Sequence, residues 1–302
     1  MGEILTRAGC FIAIIVLGYL LKRFRFFPEE TFAVLSKIVI RVTLPAAIVT
    51  SFAGKEFDLS LLAIIALGLG GNLVYIAVMF LLGRKQRRED LVFDVVNTPS
   101  YNIGTFTLPF VQSFLGPMGM VATSLFDTGN AFVSLGGSYS IGSMIKDGAG
   151  FSFRRIGRSL VRSMPFMTYL VMLVLALLRV MPPRPVMEFA SIIGSANAFL
   201  AMLMIGVGFR LELDRSHLGR IVKILSVRYG FAAMMALFCW FVLPFQLEIR
   251  QALVLLVFSP TASASPGWTH ELDGDVGLAS ALGSVSILCS IVIILTLLVV
   301  IM

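Results

Sequence analysis

Asn97-Thr98-Pro99-Ser100-Tyr101-Asn102-Ile103-Gly104 interrupts a hydrophobic run that is otherwise long enough to cross a bilayer. Its asparagines, proline and glycine loosen the backbone or free its hydrogen-bonding groups, and hydrocarbon offers those groups no partner. Such a break must be enclosed by protein or line a cavity. Late in the chain, Ser259-Pro260-Thr261-Ala262-Ser263-Ala264-Ser265-Pro266-Gly267 repeats the chemistry, so Pro99, Pro260 and Pro266 are read as helix-breaking residues. The two stretches read as the two halves of one substrate site.

The sequence around them is that of an integral membrane protein. Of its 302 residues 58% are hydrophobic and only 14% charged, with a mean hydropathy of +0.94, against about 25% charged in soluble domains. A net charge of +7 would suggest nucleic acid in a soluble chain. Here the basic residues stand in short blocks between apolar runs, as membrane topology requires, and nucleic acid is excluded as a partner. Cys10, Cys239 and Cys289 lie singly in apolar segments, with no paired or metal-ligand spacing. Two distant histidines give no zinc site, no glycine-rich phosphate loop is present, and no cofactor or metal is expected. Met1-Gly2-Glu3-Ile4-Leu5-Thr6 fits a myristoylation pattern and Ala8-Gly9-Cys10 the end of a lipoprotein signal, but no apolar run precedes that cysteine. The first apolar run ends at Lys22-Arg23 without a cleavage site and is retained as a membrane helix.

With about 20 residues needed per crossing, ten apolar segments are expected, at 4–21, 31–53, 59–83, 91–114, 117–142, 160–181, 186–209, 218–245, 249–268 and 276–302. Lys22, Arg23 and Arg25 follow the first; Arg84, Lys85, Arg87 and Arg88 the third; Lys146, Arg154, Arg155, Arg158 and Arg162 the fifth; Arg210, Arg215, Arg220 and Lys223 the seventh. The opposite loops carry only Arg7, Lys55, Arg179, Arg184 and Arg250. The basic side is cytoplasmic, so both termini are expected outside the membrane. The polar link from Lys146 to Arg162 divides the segments five and five, giving 1–145 and 146–302 as two halves of opposite orientation. Each half carries its break in its fourth segment, the pattern of an inverted-repeat secondary transporter with its site at the bilayer midplane.

Two half-helix N-termini aimed at one centre favour an anion. Asn102 offers an amide donor with Tyr101 beside it, and Thr261, Ser263 and Ser265 offer small hydroxyls from the opposing break. Asp127, deep in segment 5, costs about 3 kcal/mol to insert and needs a partner or a task. It is read as a proton carrier, with Asn130 on the same helical face. Arg41, deep in segment 2, is the candidate partner of Asp127 or countercharge of the substrate; with Lys37 it could equally face water or headgroups. Arg228 is read as reaching the cytoplasmic headgroups, Asp94 as a solvated carboxylate at a helix start, and Asn72 and Asn197 as helix-packing contacts. An intramembrane protease is disfavoured. Asp127-Thr128-Gly129 lacks a second aspartate at its own depth, since Asp94 lies near one face. The chain is not read as an enzyme.

At Asn102-Ile103-Gly104-Thr105-Phe106-Thr107-Leu108-Pro109, followed by Leu115-Gly116-Pro117, the chain resembles the auxin efflux carrier family, which includes bacterial organic-acid carriers and the plant PIN-FORMED transporters. Leu44-Pro45-Ala46, Pro260, Asp275 and Ala279-Ser280 extend the resemblance over the whole chain. It implies an all-α membrane fold of ten helices in two inverted five-helix repeats, with helices 4 and 9 broken and crossing, of the bile-acid-symporter and NhaA-like kind. It also implies elevator movement of segments 3–5 and 8–10 against a scaffold of 1, 2, 6 and 7, a homodimer, and a small organic anion held by Asn102. Tyr101 stands where the plant carriers place a proline and their long central loop is lacking, so a small mono- or dicarboxylate of the malonate or malate kind is expected rather than auxin itself. The rivals are a sodium-coupled symporter of the bile-acid type and a membrane sensor that binds the anion without moving it.

Overall fold

The computed structural model describes residues 2–52, 58–209 and 214–302. Lys55 and Arg210, counted above among the loop charges, lie outside these residues, as does the side chain of Arg215. Among the described residues the regular elements are all helical, and the only extended pairing is an isolated antiparallel bridge between Tyr101 and Thr261.

In chain order, α1 (Gly2–Arg23) is followed by α2 (Thr31–Ile38) and α3 (Leu44–Phe52), joined by a π-turn at Val39–Thr43. A short turn capped by Asp58 leads into α4 (Ala63–Leu82). The first break separates α5 (Arg88–Asn97) from a π-turn at Ile103–Thr107 that runs on into α6 (Leu108–Phe114). A third π-turn, Val133–Gly137, joins α7 (Pro117–Phe132) to α8 (Ser138–Asp147). Next come α9 (Phe153–Arg162), α10 (Met164–Leu177), α11 (Arg184–Ser195), α12 (Asn197–Gly208) and α13 (Leu218–Phe241). The second break lies between α14 (Leu247–Val257) and α15 (Ser265–Glu271), and α16 (Val276–Ile301) ends the chain.

Among the described residues six stretches are long and apolar enough to cross a membrane: Ile4–Arg23, Thr31–Phe52, Leu59–Leu82, Arg184–Gly208, Leu218–Phe241 and Val276–Ile301. The other expected segments are interrupted or short, which is why length and hydropathy alone do not mark them. The segments that carry the breaks are also deeply enclosed. Ala252 to Val257 of α14 are almost wholly buried, as are Asn97, Thr98, Ser100 and Tyr101 at the first break and Ser259 and Thr261 at the second. Loose backbone is thereby surrounded by protein rather than lipid, as the lack of hydrogen-bond partners in hydrocarbon demands.

Close helix contacts are made by small residues. A Cβ added at Gly68 of α4 would collide with the Phe126 carbonyl of α7, and one at Gly129 with that of Ile65, so these two helices touch backbone to backbone. Gly18 and Gly206 do the same for α1 and α12. Between lipid-facing helices that share an apolar surround, such close packing replaces the hydrophobic effect as the source of attraction.

One expectation changes. The polar link after segment 5 contains α9, which Ser152 caps by accepting from Arg155 N. Ile156 and Leu160, four residues apart, bury one face while Arg154 and Arg158 lie on the exposed side. An 80° bend at Ser163 separates it from α10, whose first turn holds Pro165.

Candidate functional site

The two breaks lie against each other. Asn102 N donates to Pro260 O (2.9 Å), next to the Tyr101–Thr261 bridge, and the hydroxyls of Thr107 and Ser259 are 2.6 Å apart. Beside this junction is a cavity of about 140 Å³. All three π-turns contribute to it, through Ile40, through Ile103, Gly104 and Thr105, and through Ser134 and Leu135. A π-turn widens the helix and leaves backbone groups unpaired, which suits a ligand wall better than a helix middle. In the third of them Gly136 takes φ 152°, a conformation that side chains other than glycine rarely adopt.

Asn102 lines the cavity. Its Oδ1 accepts from Thr105 Oγ1, an arrangement that turns the Nδ2 donors the other way; no hydrogen bond to Nδ2 is recorded among the described residues. The first backbone return of the π-turn is the long Thr107 N to Asn102 O contact (3.4 Å), so the N–H groups just after Asn102 precede any helical partner. Ala262, Ser263 and Ala264 face the same cavity from the second break.

Asp127 supplies the only carboxyl among the lining residues, and none of them is a lysine or arginine. Its Oδ1 accepts from Asn130 Nδ2 (2.9 Å) and its Oδ2 from Tyr169 Oη (3.0 Å). Asn130 also treats the break as a missing peptide partner. Its Oδ1 accepts from Tyr101 N (3.0 Å) and its Nδ2 donates to Tyr101 O (2.9 Å). Asn72 completes the support, accepting from Ser100 N and donating to Asn130 Oδ1 (3.1 Å). It thereby holds Ser100 at φ 73°, a left-handed conformation that costs a non-glycine residue about 1–3 kcal/mol. Asn72 is therefore part of the junction and not simply a packing contact.

The remaining sequence-predicted residues divide. Tyr101 borders the cavity, but its ring packs on Tyr75 and Phe126, and its hydroxyl is buried against Gly71 without a hydrogen-bond partner. Thr261 and Ser265 are buried and absent from the lining; the Thr261 hydroxyl and N–H both meet Ser286 Oγ, while Ser265 O accepts from Thr269. Arg41 is exposed on the first π-turn and is not a lining residue, and the recorded partners of Asp127 do not include it. Pro99 and Pro260 lie within the breaks, whereas Pro266 sits in the first turn of α15 and starts a helix, where its missing N–H costs nothing.

Arg228 is where the sequence reading is corrected. It is fully buried rather than reaching headgroups. Its Nη1 donates to Thr98 O and its Nη2 to Ser259 O (2.8 Å) and Pro260 O (3.0 Å), which joins both breaks to α13. A break exposes carbonyls, and counting them would have called for a cation nearby. Asp94 is also buried, not solvated: Arg220 and Lys223 both bind it, and Arg220 also binds Asp90. Asp94 and Asp127 thus have separate partners and form no dyad. Asn197 bridges Thr43 and Gln112.

At the far end of α15, Lys146 pairs with Asp273 (2.7 Å) and Arg155 of α9 with Glu271, the Arg155 guanidinium lying over the Tyr139 ring. The hydrogen bond from Lys146 holds the exposed Asp273 carboxyl below its usual value, and the same bond holds the Lys146 ammonium above its own. Among the described residues no group of three or more His, Cys, Asp or Glu could hold a metal ion.

Residues 10–145 match the family described as membrane transport protein. An uncharacterized transporter of Methanothermobacter thermautotrophicus is 24% identical over 285 residues, covering 93% of each chain. With the interrupted helices buried among apolar ones, these matches identify the chain as a membrane transporter whose first half is similar to that family.

Proposed function

We propose that the chain is a secondary carrier of small organic anions, mono- or dicarboxylates, and that the cavity beside the two breaks is its substrate site. One observation carries the reading. Two interrupted helices meet at the Tyr101–Thr261 bridge, and the cavity beside them receives the Asn102 amide, the Asp127 carboxyl and the start of the 103–107 turn. An incoming carboxylate would accept from Asn102 Nδ2 and from the unpaired N–H groups that follow it, at a helix start whose partial positive charge favours anions. The volume of about 140 Å³ suits a small carboxylate.

Asp127 gives this site its coupling. A substrate carboxylate and an ionised Asp127 in one small cavity repel each other, and no lysine or arginine lines the wall to offset them. The anion therefore enters with a proton on Asp127, and Asn130 and Tyr169 hold the carboxyl in place in both states. In this reading Ser263 adds a contact, Thr261 and Ser265 keep the second break in shape, and Arg41 has no part in the cavity.

The ten helical segments are taken as two inverted repeats, 1–145 and 146–302, with both termini outside the plasma membrane. The α5/α6 and α14/α15 pairs are the crossing helices. The segments that carry them, α4 to α8 and α13 to α16, travel as one body against α1, α2, α3, α10, α11 and α12, through which two copies would pair. The Thr43–Asn197–Gln112 chain spans the boundary between these bodies and must break during transit.

Reconstituted proteoliposomes test the proposal. Saturable flux of labelled small carboxylates, driven by an imposed proton gradient, is the expected result. Binding without flux would replace the carrier by an anion sensor, and flux driven only by sodium would replace proton coupling by the bile-acid type of symport.

A further inference from the structure

Arg228 is the largest fully buried side chain among the described residues, yet its recorded hydrogen-bond partners are backbone carbonyls alone. Those carbonyls have a common origin. Thr98 is the residue on which α5 ends, and Ser259 and Pro260 follow directly on the end of α14. Each helix terminus carries about half a negative charge on its unpaired carbonyls, so two of them together offset about one positive charge. The guanidinium supplies that charge from a third helix, and the rings of Tyr75 and Tyr101 stand 5.5 and 5.1 Å from its centre.

A cluster of main-chain carbonyls at converging helix ends is also what a dehydrated monovalent cation requires, and interrupted membrane helices offer such ends to sodium. The first break adds two buried hydroxyls, Thr98 Oγ1 and Ser100 Oγ, that have no partner. We propose that Arg228 is a tethered cation: it fills the place at which the paired helix ends would bind sodium, so the junction assembles without sodium, and removal of the guanidinium turns that place into a site for a small monovalent cation or for free guanidinium. Arg228 is a positioning residue here. It acts on the substrate cavity through Pro260 O, which it shares with Asn102 N. The proposal concerns the assembly of the junction and does not depend on which substrate is carried or on Asp127.

Thermal unfolding of the purified full-length protein in detergent tests it, at constant ionic strength in sodium, lithium or choline chloride, and with millimolar guanidinium added to choline. The wild type should unfold at one temperature in sodium and choline. Arg228→Ala should unfold several degrees lower in choline and regain most of the loss, saturably, with guanidinium or sodium. Arg228→Lys, which keeps a tethered charge, should stay close to the wild type and ignore sodium, while Arg228→Gln should fall with the alanine variant. If Arg228→Ala does not fold, the wild type and the Lys and Gln variants decide. A saturable sodium-dependent rise in the wild type would overturn the proposal. So would an Arg228→Gln protein as stable as Arg228→Lys, or an alanine variant that folds and responds to none of the cations.

Discussion

The two breaks look alike in sequence and are supported in different ways. Residues 98–102 are held by side chains reaching in from two other helices, Asn72 of α4 and Asn130 of α7, which bond to the N–H or C=O of Ser100 and Tyr101. Residues 258–264 are held by Ser286 of α16 and by the first break itself, while Arg228 of α13 binds carbonyls of both breaks. The first break presents an amide to the cavity, whereas the second presents Ala262, Ser263 and Ala264, mostly methyl groups and backbone. The difference assigns chemistry to one half of the junction and shape to the other.

The sharpest way to break that division is at Asp127. Asp127→Asn should abolish the pH dependence of carboxylate uptake while leaving exchange of carboxylate across the liposome membrane intact. Uptake by the wild type should rise with acidity, because a protonated Asp127 admits the anion. A variant that keeps the wild-type pH profile would remove the coupling role.

The two supports come next. Asn130→Leu unpairs both backbone groups of Tyr101 in a buried setting and should cost about 3 kcal/mol of stability. Ser286→Ala removes one hydroxyl from Thr261 and should cost about 1 kcal/mol. Thermal unfolding of the two variants side by side would reverse the comparison if the serine proved the more costly. Ser263→Ala, on the shape-giving side, should change carboxylate affinity by less than about threefold, since a partly exposed hydroxyl adds little.

The smallest effect belongs to the exposed tie at the end of α15. Asp273 titrates below its usual value in the folded chain, so its contribution is present above the unfolded carboxylate range and fades as pH falls through the lowered value. The Lys146 contribution is present below the ordinary ammonium range and fades as pH rises through its raised value. Asp273→Asn should therefore lower the unfolding temperature only slightly at neutral pH, and the difference from the wild type should vanish as pH falls through the carboxylate range. A large loss at neutral pH would show that this tip does more than tether.

Much of this was legible in the chain. Breakers inside apolar runs mark both interrupted helices, and the composition alone makes the protein membranous and helical. Asn102 stands out because an amide beside a proline-marked break has few structural reasons to be there. The supports were not legible, because an isolated asparagine such as Asn72 has the same sequence signature whether it packs a helix or closes a broken backbone. The π-turns leave no compositional trace at all. The Tyr101 ring was no more legible, because adjacency to Asn102 does not fix on which side of an extended backbone a ring falls. Arg228 and Asp94 show the limit of depth arguments. A charge near a membrane face can snorkel or be buried, and its partners come from segments far away in the chain.

The central claim is that the cavity beside the junction binds the transported anion through Asn102. Equilibrium binding of labelled small carboxylates to the purified wild type and to Asn102→Ala tests it most directly. The expected result is saturable binding that weakens by roughly tenfold or more in the variant, the equivalent of one lost buried polar contact, with an unchanged unfolding temperature. Equal affinity in a folded Asn102→Ala protein would contradict the claim and move the site elsewhere.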